Sequence, residues 1–177
     1  MKFSEIEQFI EGGNYRINVS WSDLGDVIHR YDYRYGLEMN PDFQRGHVWT
    51  TEQQVAYVEF GLRGGRSGMD IFFNCPGWTM GHRKNFVLVD GLQRITAVLR
   101  FLRNEIPAFG HLYEEYEDKL RSFKPQFNFN INELGHRHEV LRWYIEMNSG
   151  GVVHSDEELS RVNDLYREAL DLDGNHE

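Results

Sequence analysis

The chain has 177 residues, 40% hydrophobic and 14% aromatic, with a formal net charge of −9. That suits one domain with a real core and is too aromatic for a disordered chain. Cys75 is the sole cysteine, which excludes an internal disulfide and suits a reducing cytoplasm. No run approaches the roughly 20 apolar residues of a spanning helix, and the N-terminus lacks the basic-then-apolar layout of a secretion signal, so no membrane is expected.

In chain order, residues 3–11 read as a short helix. Residues 16–21 alternate like a strand, after which Ser22 or Asp23 caps a helix over 24–31. The stretch His29-Arg30-Tyr31-Asp32-Tyr33-Arg34-Tyr35 interleaves aromatics with cations. Such a stretch can stack bases while its cations meet phosphates, making Arg34 and Tyr35 candidate nucleic-acid contacts; alternatively its tyrosines fill a core edge. Asn40 precedes Pro41 and is pushed away from helical angles. Residues 40–45 are therefore expected to form an extended, rigid arm that carries Phe43, Gln44 and Arg45. Thr50 or Thr51 caps a helix that runs to about residue 62 and ends at Arg63-Gly64-Gly65. Strands over 69–74 and 85–89 follow, joined by a loop containing Pro, Gly and Trp. Cys75, near the first strand's end, has no activating neighbour in sequence and reads as a buried, inert thiol.

A helix over 92–104 stops before Pro107. Residues 126–131 alternate again, and helices over 136–147 and 156–170 close the domain, with Gly150-Gly151 as the hinge between them. His136-x-His138 lacks the spacing that puts two ligands on one helical face, and no cysteine pair completes a zinc set, so no structural zinc is expected. The whole reads as a mixed α/β (α+β) chain: one small mixed sheet with helices packed on it and extra C-terminal helices. Charge is unevenly spread. Residues 156–177 carry eight acidic groups against Arg161 and Arg167, whereas residues 29–100 carry nine Lys or Arg against seven acids. The tail reads as a solvated acidic helix face. Tight non-specific binding to duplex DNA is not supported, because it needs many phosphate-neutralising cations.

The segment Phe86-Val-Leu-Val-Asp90-Gly91-Leu92-Gln93-Arg94 carries the most chemistry. An apolar run ends at Asp90-Gly91, and Leu92, Ile95, Leu99 and Leu102 then recur at helical spacing. A buried strand thus feeds directly into a helix whose first N–H groups and positive dipole end are open to a ligand. Asp90, Gln93 and Arg94 stand at that mouth. A carboxylate, an amide and a guanidinium there can hold a nucleotide's phosphates and their Mg²⁺, with Asp90 as the metal ligand. The plainer alternative is a strand–helix joint in which Arg94 simply pairs with Asp90. No phosphate-binding P-loop and no nucleophile elbow is present.

Three segments together sharpen this reading: Asn40-Pro41-Asp42-Phe43-Gln44-Arg45 with Val48-Trp49; Asp90-Gly91-Leu92-Gln93-Arg94; and Tyr144-Ile145-Glu146-Met147-Asn148-Ser149-Gly150-Gly151 leading into Ser155–Leu159. In this order and spacing the chain resembles the DGQQR-motif family of ParB-like domains. These form the nucleotide-hydrolysing N-terminal part of GmrS-type modification-dependent restriction proteins and related phage-defence effectors. The resemblance covers roughly residues 20–165, leaving 1–19 as an N-terminal helix and lead-in and 166–177 as an acidic tail. The first glutamine of the family motif is replaced here by Leu92. A weaker likeness to ParB segregation proteins rests on Asn40-Pro41 with Gln44-Arg45, and on Gly91 with Arg94.

The resemblance implies a ParB/sulfiredoxin-like fold and an NTP-hydrolysing, magnesium-dependent domain linked to DNA recognition in restriction-modification. On this reading Gly91 and Arg94 hold phosphates, Asp90 positions Mg²⁺ or a water, and Gln93 orients that water. Gln44, Arg45, Asn148 and Gly150 complete the nucleotide pocket, and Phe43, Gln44, Arg34 and Tyr35 face nucleic acid. Catalysis would be positioning and charge stabilisation. The residues after Asn104 are mostly needed to finish the fold, leaving no room for an HNH nuclease. A stand-alone switch, a homodimer, or one partner of a split nuclease or defence system is expected, in the host cytoplasm if phage or mobile-element encoded. Two rivals stay open: a non-hydrolysing nucleic-acid-binding or decoy module, and an ATP-dependent phosphotransferase acting on DNA or protein.

Overall fold

The computed structural model describes residues 2–6, 15–44, 46, 48–81, 85–118, 120, 125–149 and 156–174. Four strands, β1 (Tyr15–Ser20), β2 (Asp70–Asn74), β3 (Val87–Asp90) and β4 (Gln126–Asn132), form one sheet in the order β1-β4-β2-β3. β4 is antiparallel to β1 and parallel to β2, and β3 runs antiparallel to β2. Five α-helices lie among the described residues: α1 (Leu24–Tyr35), α2 (Thr51–Leu62), α3 (Leu92–Leu102), α4 (Arg137–Ser149) and α5 (Asp156–Gly174). This small mixed sheet with packed helices and two additional C-terminal helices is the expected ParB/sulfiredoxin-like arrangement. None of the helices among the described residues is long and apolar enough to cross a membrane.

Strand alternation divides the interior into two cores, because successive side chains point to opposite sheet faces. Phe127, Phe129 and Ile131 of β4 join Ile71, Phe73 and Leu88 in a core packed under α1, α2 and α3. Phe73 and Phe129 lie 4.8 Å apart across the parallel pair, and a fully buried ring of this kind contributes about 1.5–3 kcal/mol. Phe72, Val87 and Val89 point the other way, into a second core with Leu141, Trp143 and Tyr144 of α4 and Val162 and Ala169 of α5. On that face β4 presents Asn128, Asn130 and Asn132. The buried Asn130 and Asn74 amides are satisfied. Asn130 donates to Asp70 (3.2 Å), and Asn74 exchanges two hydrogen bonds with the backbone of Leu134.

The element boundaries follow from local chemistry. α1 continues one turn beyond the expected end, through Tyr35, and stops where Gly36 adopts the left-handed conformation (φ +63°). Tyr31 is buried and Tyr35 half-buried among aromatic rings, whereas Arg30, Tyr33 and Arg34 are exposed. The stretch therefore fills a core edge and shows a cationic-aromatic outer face at once. Thr50 caps α2 through a reciprocal box with Gln53. Cys75 is fully buried.

The expected helix over 3–11 is a 3-10 turn at Phe3–Glu5, and residues 7–14 lie outside the described residues. The extended arm expected over 40–45 is, over residues 41–44, instead a turn, closed by the Gln44 N–H donating to the Pro41 carbonyl (2.9 Å). The pre-proline constraint acts on Asn40 alone; Asp42 and Phe43 are free to turn, and contacts from the C-terminal helices decide that they do.

Gly61 and Gly25 test the packing with opposite signs. A Cβ on Gly61, inside α2, would lie 2.2 Å from the fully buried Trp21 ring, whereas a Cβ on Gly25 in α1 meets nothing within 4 Å. Glycine costs a helix about 0.8–1 kcal/mol relative to alanine. Gly25→Ala should therefore raise urea-unfolding stability by up to about 1 kcal/mol, while Gly61→Ala should lower it by about 1–3 kcal/mol through overpacking. A stabilised Gly61→Ala would mean that the Trp21 ring is free to move aside.

Candidate functional site

The site begins at the joint between β3 and α3. Gly91 has φ +120°, and a Cβ there would fall 2.5 Å from Ile71 Cδ1 and 3.0 Å from its Cγ2. Glycine is thus required both by backbone conformation and by the close approach of β2. It lets the chain turn from strand to helix without a connecting loop. No side chain caps α3, so the N–H groups of its first turn, with the positive end of the helix dipole, face the space in front of the joint.

Arg94 sits one turn into α3 with its side chain 16% exposed, paired with Asp90 through Nη2. Its Nη1 donates to the backbone carbonyls of Asp70 (2.8 Å) and Gly68 (3.3 Å). The Gly68 carbonyl also accepts from the Tyr57 hydroxyl at 2.8 Å. Burial pushes the Tyr57 phenol well above its ordinary value, partly offset by the charge of Arg94, so Tyr57 remains a hydrogen-bond donor. Gln93 faces the other side. Its Oε1 accepts from the N–H groups of Val48 (3.0 Å) and Trp49 (3.1 Å), and its Nε2 donates to the Gly46 carbonyl (3.2 Å). Gln93 therefore holds the loop that leads into α2.

The 41–44 turn is fastened from the far side of the chain. Arg137 of α4 grips the Asp42 carboxylate with two contacts of 2.7 Å. Arg161 of α5 donates to the carbonyls of Asp42, Phe43 and Gln44. Phe43 is 2% exposed, its ring edge-on to Tyr144 at 5.2 Å, so it serves the second core. Gln44 donates to the Leu88 carbonyl of β3. Asn148, near the end of α4, donates to the Tyr144 carbonyl at 2.7 Å.

These elements enclose a cleft of about 230 Å³ in which Asp90, Gly91, Gln93, Arg94, Gln44 and Asn148 all appear on the wall. Six residues chosen from three separated segments thus meet in one place. Arg45 and Gly150 lie outside the described residues. Leu92 lines the same cleft while packing on the core, which accounts for an apolar side chain at that position. Arg34, Tyr35 and Phe43 border a different, larger cleft of about 720 Å³, together with His136 and Arg137. The cleft at α3 offers an uncapped helix start and one carboxylate, a donor set that fits phosphate oxygens and a hard divalent cation.

One group of ligand-type side chains escaped the sequence reading. His136, His138 and Asp173 place one ligand atom each within 4.8 Å of one another. Helical-face spacing does not reveal this group, because His136 precedes α4. The third member comes from the end of α5, and no local spacing rule links it to the histidines.

The family model described as GmrSD restriction endonuclease, N-terminal domain, matches residues 24–166. No curated protein and no solved structure matches the chain.

Arg94→Ala would leave the Gly68 and Asp70 carbonyls without this donor and Asp90 without its partner. These acceptors are exposed or only part-buried, so water replaces part of what is lost, and a loss of about 0.5–1.5 kcal/mol is expected in urea unfolding. Arg94→Lys should recover less than half of it, because an ammonium cannot reproduce the fork that reaches three acceptors. Full stability in Arg94→Lys would show that charge alone suffices.

Proposed function

This chain belongs to the GmrSD restriction endonuclease N-terminal domain family, and we propose that its cleft at the start of α3 binds and hydrolyses a nucleoside triphosphate with Mg²⁺. The observation that carries this reading is the convergence of Asp90, Gly91, Gln93, Arg94, Gln44 and Asn148 on one small cleft before an uncapped helix. At about 230 Å³ the cleft is below the roughly 300–1,000 Å³ of sites that enclose whole ligands. It suits a polyphosphate tail, with the nucleoside extending outward past Trp49 or Tyr144.

In this reading the first N–H groups of α3 hold the terminal phosphates. Asp90 is the residue that would hold Mg²⁺, which supplies charge neutralisation for phosphoryl transfer. Arg94 neutralises and orients the Asp90 carboxylate and acts on phosphate through it. Gln93, with both ends of its amide engaged by the 46–49 loop, is a positioning residue that fixes Trp49 at the cleft wall. Gln44 presents its amide from the fastened turn. Rate acceleration then comes from pre-set geometry and electrostatics.

DNA enters the proposal through the exposed face of α1, where Arg34 borders the larger cleft beside the half-buried Tyr35. DNA contact there would be local, since the chain is acidic overall. A nuclease or other defence protein would act as partner. A second reading, binding without hydrolysis, is favoured by one observation: Gln44 Nε2, Gln93 and Arg94 have protein partners already, leaving no wholly uncommitted glutamine among the described residues that line the cleft.

The deciding experiment incubates the chain with each of the four NTPs and Mg²⁺, with and without DNA, and follows phosphate release. Hydrolysis is expected, and Asp90→Asn should slow it at least about tenfold, about 1.4 kcal/mol in barrier height, while binding nucleotide weakly without metal, because the charge of Arg94 is then no longer cancelled. Nucleotide binding without phosphate release selects the second reading. Equal turnover of Asp90→Asn and the parent at saturating Mg²⁺ removes Asp90 from the reaction, and transfer of label to DNA or protein replaces hydrolysis by phosphotransfer.

A further inference from the structure

We propose that His136, His138 and Asp173 form a binding site for one divalent late first-row metal ion of the Zn²⁺ class. The site is separate from the α3 cleft, and the proposal does not rest on nucleotide binding. His138 Nδ1 is 2.6 Å from one Asp173 carboxylate oxygen, and His136 Nδ1 is 3.7 Å from the other. A tetrahedral ion with bonds of about 2.0–2.2 Å requires donors about 3.3–3.6 Å apart. The two observed separations, one to each carboxylate oxygen, lie on either side of that range, and one ligand atom from each of the three residues lies within 4.8 Å of the others.

The backbone explains why two histidines two residues apart share a target. Within a continuous helix such residues diverge. His136 stands just before α4, and its backbone carbonyl accepts the first helical hydrogen bond, from Val140 N–H (3.4 Å). The two imidazoles consequently stack, with centroids 5.5 Å apart and planes inclined by 26°, and both Nδ1 atoms turn toward α5. Asp173 meets them from the last turn of α5.

A simple ion pair between the helices needs one imidazole. Here two nearly parallel rings address the two oxygens of a single carboxylate, one imidazole more than such a pair requires. A divalent cation reconciles all three groups. Imidazole with carboxylate selects Zn²⁺, Co²⁺ or Ni²⁺ over the oxygen-seeking Mg²⁺. Three protein ligands leave at least one position for water or an external group. Because His136 also borders the larger cleft, that position would lie at the cleft's edge. The ion would tie the start of α4 to the end of α5, the two helices whose Arg137 and Arg161 fasten the 41–44 turn.

The test is calorimetric titration of the chelator-stripped full chain with ZnCl₂, in nucleotide-free buffer containing excess Mg²⁺. Cobalt substitution would be followed in parallel through its visible ligand-field bands. One Zn²⁺ per chain is expected. His136→Gln and Asp173→Asn should each weaken binding at least about tenfold, the lower end of what even supporting groups around a metal contribute, and should bleach the cobalt bands. His29→Gln and His111→Gln should bind as the parent does. His136 is the more exposed histidine, at 62%, so its variant keeps the test valid if Asp173→Asn unfolds. No saturable Zn²⁺ in the parent, undiminished affinity in His136→Gln, or displacement of Zn²⁺ by Mg²⁺ would overturn the proposal.

Discussion

The guanidinium of Arg94 reaches from the first turn of α3 to the carboxylate at the end of β3 and to two carbonyls at the start of β2. Because one of those carbonyls also receives Tyr57, α2 is drawn to the same point. A planar group with five donors and a permanent charge can make such a junction where a point charge cannot. The junction also depends on Gly91, since only a residue without a Cβ lets Ile71 approach the joint. Gln93, next in sequence to Arg94, uses the opposite side of the turn to hold the 46–49 loop. The first turn of α3 thus organises both the sheet edge behind it and the loop in front of it.

The opposite wall of the cleft depends on the C-terminal helices. Gln44 stands where it does because Arg137 and Arg161 pin the turn that bears it, and Tyr144 and Asn148 come from α4 itself. A helix that reads in sequence as an acidic, solvated surface element therefore has two other faces. Val162 and Ala169 are buried in the second core, and Arg161 and Asp173 make specific contacts with distant segments. Its acidity describes the remaining, exposed side.

What the sequence made legible were features fixed by neighbours in the chain. The Phe/Asn alternation of β4, the Thr50 cap and the Asp90-Gly91 transition each depend on residues within one or two turns, and each lies where it was expected. The features missed are those fixed by residues far away. Phe43 was taken as a nucleic-acid contact, but its burial is decided by Tyr144, and the turn around it by Arg161, 119 residues from Asp42. Gln93 was assigned to water, yet its amide is engaged by backbone 44–47 residues away. The plainer pairing of Arg94 with Asp90 is present, together with backbone contacts that no spacing rule contains. Helix spacing hides the His136/His138/Asp173 group, since His136 stands just outside α4 and Asp173 comes from α5.

The electrostatics of the α3 cleft constrain what it can hold. Among the described residues lining it, Arg94 is the sole cation and Asp90 the sole acid, and the two are paired, so their side chains contribute no net charge. Attraction for an anion must then come mainly from the helix start. A helix terminus contributes about 0.3–1 kcal/mol toward a nearby charge, and about 2 kcal/mol in partly buried geometry. That suffices to orient one phosphate but not to balance several anionic oxygens held close together. A polyphosphate entering this cleft must therefore bring its own cation, and Asp90 is the lining residue with a carboxylate to meet it. On the proposed nucleotide reading, the pairing of Asp90 with Arg94, which at first favours a purely structural joint, makes a divalent ion a requirement of tight polyphosphate binding.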